Sequence, residues 1–484
     1  MKRFLRKTPI WLARAVAVII VLLIAFYAEE DWRGAHNWAV CQKELQAKGE
    51  SLDLRQLIPP GKPEDDLSKV PIFAELYRED GWEKARIRKL RIELDSTDYS
   101  KVPKFQFLKG EPIDLATWQK FYRSELKSPL PEMPGTPAVD VQQVLSKFDP
   151  ELNEIDAAVS NPNAYFPINY KMPFGTPLSG VTSMISIAKI LQLKAVAHLE
   201  NHETDLAERD YLFSFRLNRP LTKGCFLVDY VVIAAARTID EAILWEGLRR
   251  HAWNDAQLHE MESSLATMDM LALASENLRI ERASFVKAVT VAQVVDTDFI
   301  RRLKARGLAC IFESAIFRPR GWWDEDRSAY SQALQTRIEA MDLSHGTLSS
   351  DRFPYHARFG YIDDNRAVDT STWGEIYIPL TTATLPSVDD CGPTFARAET
   401  YRRLARLACR LEEYRIAHGQ YPDTLNGLSD LPAHLNQEVL SDQPLRYQRK
   451  GDGYLLYSLG WNQKDNGGVY SGDPREGDWP WPSP

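Results

Sequence analysis

Closely spaced histidines, serines beside glycines and paired acids are where chemistry would first be sought in these 484 residues. His198 and His202 stand four apart, with Glu200 between them and Asp205 just beyond. On an unbroken helix both imidazoles would share a face and offer a divalent metal two ligands. The zinc-peptidase pattern needs a glutamate directly after the first histidine, and Leu199 occupies that place. His259 and Glu260 have the adjacency, but Ser263 stands where the second histidine belongs. Asn201 to Thr204 reads as a turn between two helices, so surface or capping histidines are the plainer reading of the pair. Tyr170 to Gly180 holds a glycine-bearing turn, and Ser179 and Ser183 precede or open a helix, but no glycine-x-serine-x-glycine elbow exists in the chain. Gly451 and Gly453 fall in a hairpin turn and not ahead of a helix, which excludes a phosphate loop there. The acid pairs Asp363/Asp364 and Asp389/Asp390 are ordinary in a chain with 67 acids.

Those side chains need elements to position them, and the most legible element is the stretch over residues 10–28. It carries one charge, Arg14, with Lys2, Arg3, Arg6 and Lys7 before it and Glu29, Glu30 and Asp31 after it. As a helix it spans roughly 28 Å, close to the hydrocarbon thickness of a bilayer. The excess of basic residues on the near side places a tail over 1–9 in the cytoplasm and the bulk of the chain outside the inner (cytoplasmic) membrane, in the periplasm. A cleaved signal peptide competes with the anchor reading, but Phe26 and Leu23 stand where signal peptidase wants small residues.

Composition narrows the classes further. Lys plus Arg is 59 against 67 for Asp plus Glu, a net charge of −8, which argues against a nucleic-acid surface. The five cysteines, Cys41, Cys225, Cys310, Cys391 and Cys409, are too scattered for a disulfide scaffold or a zinc knuckle. Cys391 and Cys409 are the nearest pair and the candidate disulfide, the alternative being that both are buried in helices.

Along the chain, Trp32 to Lys48 reads as a short helix ending at Gly49, followed by a stiff segment with Pro59, Pro60 and Pro63. Residues 29–170 form a membrane-proximal irregular and helical region. Within it, Phe105 to Leu108 looks strand-like, and Leu115 to Leu126 and Val139 to Ala158 look helical. Residues 171–316 carry long apolar stripes at helical spacing, with Asn254 or Asp255 able to cap one helix. Residues 317–392 are aromatic-rich and connecting, interrupted by a helix over 325–341. Residues 393–484 hold a helix ending at Gly419, then two strands, Leu445 to Arg449 and Tyr454 to Ser458, around the turn Lys450, Gly451, Asp452 and Gly453.

Three resemblances attach to these residues. Trp38, Glu44, Lys48, Gly49, Glu50, Leu52, Leu54, Ile58, Pro59 and Pro60 resemble the start of a set of uncharacterised membrane-anchored proteins of planctomycete and verrucomicrobial bacteria, which implies an envelope location and no activity. Ala195, Ala207, Tyr211, Ser214 and Pro220 resemble one tetratricopeptide-type helix pair, although Lys194, His198 and His202 depart from its pattern. Leu411, Tyr414, Arg415, Gly419, Tyr421, Pro422 and Leu425, then Pro444, Leu445 and Tyr447, then Tyr457, Ser458, Leu459 and Gly460 resemble the globular half of type II secretion major pseudopilins. That last resemblance implies a calcium loop after the final strand, with Asp465, Asn466, Asp473 and Asp478 among its ligands. No glycine precedes the anchor as a prepilin peptidase would need, and residues 29–392 separate the anchor from the pilin-like part, so a cap or adaptor fits better than a filament subunit.

The expected fold class is therefore mainly α: an N-terminal transmembrane helix, an α-helical repeat or bundle domain, and a small C-terminal α+β pilin-like domain. The expected function is a membrane-anchored extracytoplasmic scaffold or adaptor, touching lipid through residues 10–28 and holding a protein partner, possible calcium being its one cofactor. An envelope hydrolase with His345, His356, Asp363 and Asp364 in a pocket is the alternative.

Overall fold

The computed structural model describes residues 10–77, 85–93, 99–125, 130–171, 181–224, 226–293, 318–354 and 379–483. Helix α1, Ile10–Ala47, joins the expected anchor and the helix after it into one 38-residue element. Glu29, Glu30 and Asp31 do not interrupt it, because Glu30 and Asp31 find partners on a second helix. Its first half exposes Val18, Ile20, Leu22 and Ile24, with a mean hydropathy of 2.4 over the most apolar window, so α1 is long and apolar enough to cross a membrane. It ends where glycine allows: Gly49 is left-handed at φ 76°, and the Glu50 N–H donates to the Leu45 carbonyl at 2.9 Å.

Helices α2 (Leu115–Glu125), α3 (Pro137–Leu145) and α4 (Asp149–Val159) follow. The single helix expected over 139–158 is split, because the chain makes a tight turn at Ser146–Phe148 and Pro150, which has no N–H to donate, opens the next helix. The strand expected at Phe105 to Leu108 is instead a tight turn over Phe107–Lys109, closed by Gly110 at φ 70°.

A bundle then builds from α5 (Val181–Glu200), α6 (Thr204–Leu217), α7 (Leu227–Leu248), α8 (Asp255–Ala266) and α9 (Met270–Gln293). α5 and α6 pack together across a three-residue turn, with Ala195, Ala207, Tyr211 and Ser214 fully buried between and around them. Asn254 caps α8 as its residue type suggests: its side chain accepts the Gln257 N–H at 3.0 Å while Gln257 reaches back to the Asn254 N–H at 3.2 Å.

Helices α10 (Arg320–Glu339), α11 (Pro379–Asp389) and α12 (Gly392–His418) complete the helical part. α12 lies against α7, α8 and α9, with Phe395 edge-on to Tyr230 at 4.8 Å. One continuous cluster of buried apolar side chains thus extends from Leu67 to Trp481, across the expected boundary near residue 392.

Strands β1 (Met341–Asp342) and β2 (Thr347–Leu348) form a small hairpin. β3 (Arg446–Lys450), β4 (Gly453–Ser458) and β5 (Trp479–Trp481) form an antiparallel sheet in that order, turning at Gly451 with φ 58°. β3 and β4 lie within a residue of their predicted positions. β5 was not anticipated, since proline-rich sequence argues against a strand. It is tolerated at the sheet edge, where Pro480 has one face without a partner.

Candidate binding cleft

Two places stand out: the junction of α1 with the body, and a cleft beside it in sequence. At the junction α1 and α10 run parallel, since Asp31, Asn37, Cys41 and Lys48 meet Gly321, Glu325, Ser328 and Glu339 in that order. The crossing is close because both contact residues are glycines. A Cβ on Gly34 would lie 2.0 Å from the Gly321 carbonyl oxygen, and one on Gly321 would lie 2.0 Å from that of Glu30. The acids read as a topology signal are engaged here. Asp31 accepts the Gly321 N–H at 2.9 Å, placing a carboxylate at the positive end of α10, and Glu30 accepts the Trp322 indole N–H at 2.6 Å. Below the crossing, the buried Arg282 guanidinium meets Glu50 at 2.5 Å and Gln335 at 2.5 Å, tying the end of the α1 region to α9 and α10 together.

The cleft has a volume of about 780 Å³. One wall is the stiff segment Ile58 to Lys62, whose Ile58, Pro59 and Pro60 belong to the envelope-protein resemblance. The opposite wall is Tyr165, Phe166, Ile168 and Tyr170. Backbone and hydroxyl bonds fix the walls: Tyr165 exchanges N–H and carbonyl with Asp65 and Leu67 at 3.1 and 3.0 Å, and the Tyr170 hydroxyl donates to the Ile58 carbonyl at 2.7 Å. Gly61 is needed at the narrowest point, where a Cβ would be 2.2 Å from the Tyr165 ring. The Arg55 guanidinium sits over the Tyr170 ring at 5.0 Å. Lys223 closes one end, donating to the Pro162 carbonyl at 2.8 Å, and its burial lowers its ammonium pKa. Prolines and aromatic rings with lysine and acid at the rim suit an extended stretch of polypeptide. The signal that could have found it is the aromatic run after Pro162 facing a proline-rich run of similar length.

The predicted site residues are placed as follows. α5 ends at Glu200 and His202 is left-handed at φ 62°, so His198 and His202 do not share a helix face. His198 ties three helices: its Nδ1 lies 2.7 Å from Glu203 and 2.9 Å from the Gln142 amide, its Nε2 3.5 Å from Asp210, and burial lowers its pKa despite the acids. Lys194, which departs from the repeat pattern, pairs with Asp149 at 2.5 Å. In the C-terminal loop, Asp478 is buried and its carboxylate accepts the backbone N–H groups of Asn466 at 3.0 Å and Gly468 at 2.6 Å. Asp465 accepts the Tyr457 hydroxyl at 3.0 Å and the Gly467 N–H at 3.0 Å, and the Asp473 carboxylate turns back onto the Arg475 N–H at 2.9 Å. Among the described residues no three or more His, Cys, Asp or Glu side chains gather around a common point suited to a metal.

The cysteine pairing is corrected by geometry. Cys391 caps α12, its thiol donating to the Ser387 carbonyl at 3.3 Å, and Cys409 is buried within the helix. Eighteen residues of helix put them roughly 27 Å apart, against the roughly 4 to 7 Å between Cα atoms that a disulfide requires. Cys225 and Cys310 lie outside the described residues, as do Ser179, His356, Asp363 and Asp364.

His345 is exposed on the β1–β2 turn, where Ser344, Asp342 and His345 hydrogen-bond to one another. Both contacts use the same Nδ1 atom, so the group cannot relay a proton from serine through one nitrogen to acid on the other. Asp389 is committed to Arg337 by two buried bonds of 2.8 and 3.0 Å, and Asp390 lies 3.4 Å from Arg475.

Comparison with models of known protein families, with curated proteins and with solved structures finds no match in any of the three. What the chain does must therefore be argued from its own geometry.

Proposed function

We propose that this chain is a membrane-anchored scaffold or adaptor that crosses the inner membrane once, N-terminus inward, and presents its folded body to a protein partner on the far side. The observation that carries this is α1, which runs unbroken from an exposed apolar stretch into a docked helix. A body joined this way keeps a fixed attitude to its anchor, as a presenting scaffold needs and a tethered enzyme does not. The cleft between Ile58 to Lys62 and Tyr165 to Tyr170 is the surface we assign to the partner. The finer reading, an adaptor in a secretion or pilus-like assembly, rests on the helix, turn and hairpin order of the C-terminal part.

The test is capture from envelope extract by the full chain in lipid nanodiscs, alongside a Pro60→Glu/Lys62→Glu variant of the exposed cleft wall. We expect one protein retained by the wild type and lost with the variant. Retention of nothing, or of the same proteins by both forms, would contradict the reading.

A further inference from the structure

Just past its apolar stretch α1 leaves Trp32 68% exposed, stacked on His36 at 5.5 Å. Trp11, at the other end of that stretch, is exposed to the same degree. Twenty-one residues of helix separate the two, about 31 Å, against roughly 30 Å for the hydrocarbon of a bilayer. Indole rings collect at both membrane interfaces, apolar body inward and N–H outward, so this pair marks where the two interfaces cross α1.

The first turn of α10 lies level with the second of these interfaces. Asp31, beside Trp32 in the chain, accepts the Gly321 N–H. The Trp322 ring stands edge-on to Phe26 at 6.4 Å, and Phe26 is six residues, about 9 Å, nearer the bilayer centre than Trp32. Trp322 is half-buried and Arg320 is exposed. The acids at this height are met by partners: buried Glu30 accepts Arg33 at 2.5 Å and the Trp322 indole, Asp31 caps α10, and Glu29 lies 3.9 Å from Arg33. Carboxylates met in this way can stand at the edge of the hydrocarbon, where unpaired ones would keep the body clear of it.

We propose that the body is seated on the bilayer through this turn: Trp322 enters the interface beside Phe26, and Arg320 meets the phosphates of the lipid headgroups. Lipid is the occupant because the surface is continuous with the exposed apolar stretch of α1, Phe26 belonging to both. The inference rests on α1 crossing the membrane, and it adds that a second helix shares the lipid contact, which a single anchoring helix does not require.

The test uses the full chain in phosphatidylcholine nanodiscs whose lipid is brominated near the headgroup end of its acyl chains, and reads the tryptophan emission lost relative to unbrominated discs. Of the 13 tryptophans, Trp11, Trp32 and Trp322 should supply the quenched signal. Trp32→Phe and Trp322→Phe should therefore each lower it by about a third, whereas Trp38→Phe, at a buried position six residues farther along α1, should leave it unchanged. Arg320→Glu, an exposed change that spares the bond from Trp322 to Glu30, should also lower it by repelling the turn from the phosphates; a signal equal to that of the wild type would overturn the phosphate contact. A signal that Trp322→Phe leaves unchanged while Trp32→Phe lowers it would overturn the seating of the body and leave the anchor standing. A signal that neither variant lowers would overturn both.

Discussion

Asp210, Asp229 and Glu281 are carboxyls that burial holds protonated well above the ordinary carboxylate range, at about 7, about 6 and about 7. An acid whose folded pKa exceeds its unfolded value of about 4 takes up a proton on folding between the two. Its contribution is therefore most favourable below about pH 4 and is lost as pH rises towards about 7. We expect thermal unfolding to occur at higher temperature near pH 5.5 than near pH 8, and Asp210→Asn to flatten that dependence; a wild type more stable at the alkaline end would contradict it. The opposite case is the buried Arg337 and Asp389 pair, where Arg337→Met removes the guanidinium that faces the buried carboxylate and should cost about 3 to 5 kcal/mol in denaturant unfolding. Little of this was legible in sequence. His198 could be recognised as a turn-flanking residue, but Asp210 sits on the same heptad-like pattern as its neighbours, and only packing says that it faces inward. The disulfide expectation failed for a related reason: proximity in sequence means separation in space once both cysteines belong to one helix.

At the scale of elements, helices were readable because their apolar stripes repeat at three and four residues, and the β3–β4 hairpin because its turn is rich in glycine. What failed needed knowledge of a distant neighbour. Nothing local shows that α1 continues through three acids, since what makes that continuation favourable is Gly321 and Trp322 on another helix. We expect Gly34→Leu to force α1 off α10 at a cost of about 1 to 3 kcal/mol and to open residues after 29 to limited proteolysis, where the wild type resists. The glycines of the C-terminal sheet should separate by cause. Gly451→Val meets no neighbour within 4 Å and costs only the strain of a β-branched residue held at φ 58°, about 1 to 2 kcal/mol, whereas Gly460→Val carries the same strain at φ 66° and would also put a Cβ 2.5 Å from the Gly477 carbonyl oxygen, so it should lose more. Equal melting temperatures for the two would refute that ranking. β5 escaped notice because its tryptophans lie among prolines and acids, and the core they enter is built by distant residues such as Phe107, 5.5 Å from the Trp481 ring, and Tyr401, whose hydroxyl donates to the Pro480 carbonyl at 3.2 Å.

For the whole molecule, the sequence suggested a string of regions, while the buried cluster joins Leu67 to Trp481 in one body to which α1 is fixed. Composition marks regions well and says little about which helices share a core; α12, expected to belong to a separate C-terminal domain, completes the bundle. The proposed reading has one consequence for cells: the body that follows α1 should stand on one side of the membrane. The direct measurement is protease access in spheroplasts carrying the chain with a tag before Met1, after washing the membranes with alkaline carbonate. The account predicts that the chain stays in the washed membranes, that external protease removes the body, and that the tag survives. A chain released by carbonate, or a body protected while the membrane is intact, would contradict it.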